Sequence, residues 1–196
     1  MYEDPKPPTP TERRMAFFAA MTGHRNADVT GNSENTPAML RTLYSRPDGK
    51  VDTRQAAKAL NVSQRTVQRW IKGEQKPKAD NLTRINRAAR QAATTKAGRK
   101  KAIRSQLNGR LAQRGAKITI RGHQGVSGNN AHGDSYARFR AATLKLTPEE
   151  VQDLLHAYAD NGDTGLHDYL QQQYSENYGA GQWNMDHINT IDLNDI

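Results

Sequence analysis

The chain is predicted to be α+β, with an all-α N-terminal half followed by a small mixed α/β C-terminal domain of strands plus two helices. Three observations carry this. Between Pro37 and Ala93, apolar residues recur at three- and four-residue spacing, as in helices that bury one face. From Lys117 onward, Lys-Ile-Thr-Ile and the stretch Arg140–Leu146 change to an alternation of period two, as in strands. Charge changes along the same line. Arg41–Arg121 holds 22 Lys and Arg against 4 Asp and Glu, while 141–196 holds 1 Lys against 10 acids.

Residues 1–36 read as an N-terminal extension, largely disordered. Its first ten residues are Pro-rich. Thr11–Thr22 can form a short amphipathic helix through Met15, Phe17, Phe18 and Met21, with the two Phe as a packing anchor. Gly23–Thr36 is polar and reads as a linker. Pro37 opens the next helix, since its missing N–H costs nothing in a first turn. Met39, Leu40, Leu43 and Tyr44 give that helix an apolar stripe. Arg46-Pro47-Asp48-Gly49 is a turn.

Residues 37–94 are read as one domain organised around Thr53–Lys72, TRQAAKALNVSQRTVQRWIK. Ala56, Ala57 and Leu60 form the inward face of a first helix, with Ala57 small enough for close crossing. Asn61 stands where the turn needs a left-handed residue. Val62 plugs the core. Ser63 caps the second helix, whose inward residues are Val67, Trp70 and Ile71. Gln64, Arg65, Gln68 and Arg69 are left outside. Arg matches guanine edges, Gln matches adenine, and both reach phosphates. Small residue, turn residue, plug and basic face in register spell a helix-turn-helix, not merely a helical hairpin with a solvated face. The predicted DNA contacts are Ser63, Gln64, Arg65, Thr66, Gln68, Arg69, Lys72, Lys76, Lys78, Arg84, Arg87, Lys100 and Lys101.

Asp80 opens a further helix to about Ala93, with Leu82, Ile85 and Ala89 inward and Arg84, Arg87 and Arg90 outward. Residues 95–116 read as a basic linker or phosphate-contacting arm, because TTKAGRKKAIR is too basic to bury. The acidic domain, 117–196, then runs strand, loop, strand, helix, helix, strand. The loop GHQGVSGNNAHGDS is long for a compact domain. Thr147-Pro148-Glu149-Glu150 starts a helix with cap, proline and acids together. Asp160-Asn161-Gly162 stops it, and Thr164 caps a second helix. Trp183–Ile196 supplies a third strand that pairs with one of the other two. Proteolysis is expected first near Gly23–Thr36 and Thr94–Arg104, leaving Lys117–Ile196 as an independently folding fragment.

A net charge of +9 concentrated in one half is an electrostatic footprint for nucleic acid. The acidic half reads as a face for a protein partner or for self-association. No apolar run is long enough to span a membrane, and the N-terminus lacks the pattern of a signal peptide. With no cysteine, disulfides and thiolate-bound zinc are excluded. This composition suits the cytoplasm, and the basic half suits association with the nucleoid. No phosphate loop, metalloprotease motif or nucleophile elbow is present. Asp160, Asn161 and Asp163 lack the rest of a calcium loop, and the six histidines are scattered. No metal site is expected.

The order NVSQRTVQRWIKGEQKPK, basic helix, Gly/Ser loop, ARFRAATLKLTPEEVQDLLHAY and a TIDLNDI ending resembles the telomere terminal proteins (the Tpg family) of actinobacterial linear plasmids and chromosomes. The resemblance runs from about Met39 to Ile196. It implies a protein that caps the 5′ ends of linear DNA and offers a hydroxyl as primer to a partner DNA polymerase. It also implies a telomere-associated protein as second partner. Such a chain binds no cofactor itself, and a divalent metal is needed only at the polymerase. The family's acceptor is a threonine after a Gly-aromatic pair. The nearest match here is Gly125-Val126-Ser127, which makes Ser127 the expected acceptor, with Ser135 and Thr143 as rivals. Two other classes fit the residues: a plasmid or phage helix-turn-helix transcriptional regulator whose C-terminal domain forms a homodimer, and a centromere- or origin-binding structural protein.

Overall fold

The computed structural model describes residues 4–24, 26–46, 48–126, 137–178 and 182–196. Its elements run α1 (Pro10–Thr22), α2 (Thr36–Tyr44), α3 (Thr53–Leu60), α4 (Gln64–Lys72), α5 (Ala79–Thr94), α6 (Lys96–Ala102), α7 (Arg104–Leu107), α8 (Arg110–Arg114), β1 (Ala116–Val126), β2 (Arg138–Leu146), α9 (Pro148–Tyr178) and β3 (Trp183–Asp195). The chain is α+β, as expected.

Helices α2–α5 enclose one core, in which Met39, Leu40, Val67, Ile85 and Ala89 are fully buried. The second core is larger and lies between the sheet and α9. The sheet is antiparallel with order β2-β1-β3, so the third strand pairs with the first. Ile118 faces Leu144 on one side and Leu193 on the other, and Ile120 faces Ala142 and Ile191. Period-two alternation therefore points one face of each strand at Leu154, Leu155 and Tyr158 of α9. The β1–β3 register shifts beside Gly122, where a Cβ would collide with the His187 carbonyl, so only glycine allows the approach.

The start of α9 is a capping box. The Glu150 amide donates to Thr147 Oγ1 at 3.2 Å, and the Thr147 amide donates to Glu150 Oε2 at 2.7 Å. At the expected stop, Gly162 takes φ 65° and ψ −141°, a conformation open essentially to glycine alone. The helix breaks there and resumes, so the two predicted helices form one broken rod.

Four expectations are corrected. The N-terminal extension is not largely disordered in the part described. Phe17, Phe18, Met21 and Val29 are buried, because α1 inserts Phe17 and Met21 into the sheet core while Phe18 packs with Val29 and Ala93. Residues 95–116 are not a linker, since they form α6, α7 and α8 and send Ile103 and Ala112 into the same core. They bury even a cation, because Arg99 finds carbonyl partners at two helix ends. The strand called at Lys117–Ile120 continues to Val126, which shortens the loop. Finally, a Lys117–Ile196 fragment omits Phe17, Met21, Ile103 and Ala112 from its own core, so that boundary cuts through a packed unit.

Candidate nucleic-acid interface

The interface is built by local rules. Asp52 caps α3, its carboxylate accepting from the Gln55 amide at 2.9 Å. Asn61 ends α3 at φ 54° and ψ 50°, and the Val62 amide then bonds the Ala57 carbonyl at 3.0 Å. Ser63 caps α4 by accepting from the Thr66 amide at 3.1 Å, and the Ser63 and Thr66 hydroxyls lie 2.8 Å apart. Gly73 closes α4 with φ 73°.

This geometry splits α4 into two faces. Val67 and Trp70 are 0 % and 3 % exposed, which seats the helix against α2, α3 and α5. Gln64, Arg65, Gln68, Arg69 and Lys72 are all exposed on the other side. Arg65, Gln68, Arg69 and Lys72 line one shallow groove along the helix, which Glu74 also borders. A second depression lies between the starts of α3 and α4. It is lined by Arg46, Asp52, Thr53, Arg54 and Gln64, and Gln64 Nε2 donates to Thr53 Oγ1 at 2.7 Å. Arg46 and Arg54 are absent from the predicted contacts. The signal of Arg54 was present in sequence, since it directly follows the Asp52-Thr53 cap that begins α3, whereas Arg46 lies six residues before Asp52 and is brought back beside it by the Ser45–Val51 bridge.

The remaining predicted contacts divide by what they already hold. Arg84 donates from Nη2 to the Ala59 carbonyl at 3.0 Å and from Nη1 to the Leu60 carbonyl at 3.4 Å, closing the end of α3. Lys72 lies 3.6 Å from Glu74 and Lys76 lies 3.0 Å from Glu34, both exposed pairs that water screens and phosphate can replace. Lys78 and Arg87 are exposed beside them. Lys100 pairs with Asp160 at 3.2 Å, as Lys96 does at 3.1 Å, so this basic segment is turned toward α9. These two lysines hold the Asp160 carboxyl below its usual range. Lys101 is exposed on α6.

Of the three candidate acceptors, Ser127 and Ser135 lie outside the described residues. Thr143 stands mid-strand in β2. Its hydroxyl lies 2.9 Å from that of Thr119, and its carbonyl accepts from Tyr178 at 3.1 Å.

Residues 52–89 match the model of the helix-turn-helix family. The match begins at the cap of α3 and ends inside α5, so it spans both helices of the motif and the helix that buttresses them. This segment is a helix-turn-helix DNA-binding domain. No curated protein and no solved structure matches the chain. Among the described residues, no helix is long and apolar enough to cross a membrane.

Proposed function

We propose that the protein reads a duplex sequence with α4 and uses that grip to act at the ends of linear DNA as a protein primer. One observation carries the DNA-reading part. Helix α4 is held by a buried Val67–Trp70 face while Gln64, Arg65, Gln68 and Arg69 stand exposed on its other side. The side chains suited to base edges thus belong to a rigid helix, and the N-terminus of α3 with Arg46 and Arg54 suits the flanking phosphates. Support for the end-priming part is the resemblance to telomere terminal proteins, together with the position of Ser127. In the sequence Ser127 follows Val126, the last residue of β1.

In that role the Ser127 hydroxyl attacks the α-phosphate of a nucleoside triphosphate held by the partner polymerase. A phosphodiester bond to serine forms, the bond to pyrophosphate breaks, and the hydroxyl proton leaves to the polymerase site. The polymerase's metal ions supply the activation, so this chain needs no base of its own. The second reading is a transcriptional regulator, favoured by the helix-turn-helix match alone. Protein isolated from its own cells and treated with nuclease separates the two. A residual nucleotide mass on Ser127 supports the primer, whereas an unmodified chain under conditions of active replication supports the regulator.

A further inference from the structure

The C-terminal half is acidic as a whole, but its charges are segregated. Seven of the eleven acidic residues in 117–196 lie on α9, on one side of the sheet. The other side of the sheet carries the alternate residues of each strand and, among the described residues, no helix, although the N-terminal segment meets β3 where Asn189 Nδ2 donates to the Lys6 carbonyl at 3.0 Å. There Lys117 of β1 faces Lys145 of β2, and Arg121 follows four residues along β1. All three are exposed, and none makes an ion pair with a described residue. Asp192, opposite Thr119, is the acid nearest these cations on this face. His123, further along, is matched by Asp186 at 2.7 Å.

A second observation is independent of charge. Phe139 stands directly opposite His123 on the same face, is half-buried, and belongs to none of the buried clusters. An aromatic ring on the open side of a sheet contributes nothing to the core. Beside Lys117, Arg121 and Lys145, which outnumber the one acid among them, Asp192, it is chemically matched to one class of ligand, a strand with anionic backbone and exposed ring faces. A duplex hides its base faces by stacking and pairing, and a single strand offers them.

We propose that this open face of the sheet binds single-stranded DNA, with Lys117, Arg121 and Lys145 on phosphates and Phe139 stacked on a base. The surface is separate from the duplex-reading helix. The inference rests on the sheet alone and holds whether the protein primes replication or regulates a promoter.

The test uses the full chain and a fluorescent oligothymidylate of about 15 nucleotides, within the range of site sizes for single-strand surfaces. Anisotropy is followed across a salt series. The triple variant Lys117→Gln/Arg121→Gln/Lys145→Gln is expected to bind weakly and to flatten the log–log salt slope by about 2, at about 0.7 per lost single-strand phosphate contact. Phe139→Ala is expected to bind about tenfold more weakly with the slope unchanged, because stacking carries no counterion term. Thr190→Lys, which adds a cation opposite Arg121 without touching the core, is expected to tighten binding and steepen the slope by about 0.7. This gain keeps the proposal testable even if the triple variant unfolds. Arg65→Ala/Arg69→Ala should leave oligothymidylate binding intact while weakening duplex binding. The proposal is overturned if the wild-type chain does not bind the oligonucleotide. It is equally overturned if Thr190→Lys and Phe139→Ala both bind like wild type, or if single-strand affinity follows only the α4 variant.

Discussion

Arg99 sits where two helices end. Its Nε donates to the carbonyls of Tyr158 and Ala159 at 2.9 and 3.1 Å, Nη2 to that of Asp160 at 3.1 Å, and Nη1 to that of Ala93 at 3.3 Å. The last carbonyls of a helix have no partner within the helix and carry its negative end, so one guanidinium satisfies both α5 and the first half of α9. Arg99→Met is expected to cost about 3 kcal/mol in urea unfolding, because buried carbonyls lose charged donors. Arg99→Lys should restore only part, since an ammonium lacks the planar fork. A loss below about 1 kcal/mol for Arg99→Met would contradict this role. Nothing near Lys96–Arg104 signals it, because the partners lie about sixty residues further on and a run of cations ordinarily reads as solvated. Asn61 is the opposite case, legible from its neighbours alone. Asn61→Ala should cost about 1 kcal/mol for a left-handed residue, and Asn61→Gly should be nearly neutral in a thermal melt. His24 gives a pH signature. Burial lowers its pKa, so the folded state favours the neutral ring. The unfolded chain takes up a proton below about pH 6.5. The contribution to stability is therefore fully present above that value and is lost as pH falls through the lowered folded value. His187 shifts the same way, first through burial and then through His123. Unfolding free energy is expected to fall between about pH 7 and pH 5, less steeply in His24→Gln. An identical slope in that variant would remove His24 from the account.

At the scale of elements, α9 and the sheet show why some structure is local and some is not. The Thr147 box, Pro148 and the acids fix where α9 begins, and Gly162 fixes where it breaks. A Cβ at Gly162 lies 3.2 Å from the Arg99 guanidinium and demands a left-handed φ. Gly162→Ala should therefore lower stability by about 2 kcal/mol, within the range for a strained backbone position, and weaken the Arg99 contact together with it. Additive losses in Gly162→Ala and Arg99→Met would show that the two act independently. Strand positions were legible from alternation. The pairing of β3 with β1 was not, because period two fixes which residues share a face and says nothing of which strand lies beside which. The extension of β1 through Gly122 and Gly125 was hidden for a related reason. Glycines that allow a bulge in a strand read in sequence as a loop. The basic outer face was concealed by the domain's net charge, since a sum loses the segregation that the pleat creates.

At the scale of the molecule, α1 joins the two halves. Phe17 and Met21 enter the sheet core, and Phe18 packs toward α5 through Ala93. Two adjacent Phe read as an anchor from sequence. Two different cores as their targets could not be read, because adjacent residues on a helix point about 100° apart and the partners are distant in the chain. A chain lacking residues 1–22 should lose cooperativity in urea unfolding and expose apolar surface to a dye, while α2–α5 keep their helical signal. A truncated chain with an unchanged unfolding midpoint would deny α1 that role. The helix-turn-helix was the most legible part of the molecule, since its cap, turn, plug and faces are all set within twenty residues. Its base-reading helix is the central claim, and selection from a randomised duplex library tests it most directly. The wild-type chain should enrich one short site containing a guanine whose preference relaxes in Arg65→Ala, at a cost of about 1–3 kcal/mol on the enriched duplex. Failure to enrich any sequence, or the same site with the same preference at every position in Arg65→Ala, would contradict the assignment of α4 as the reading helix.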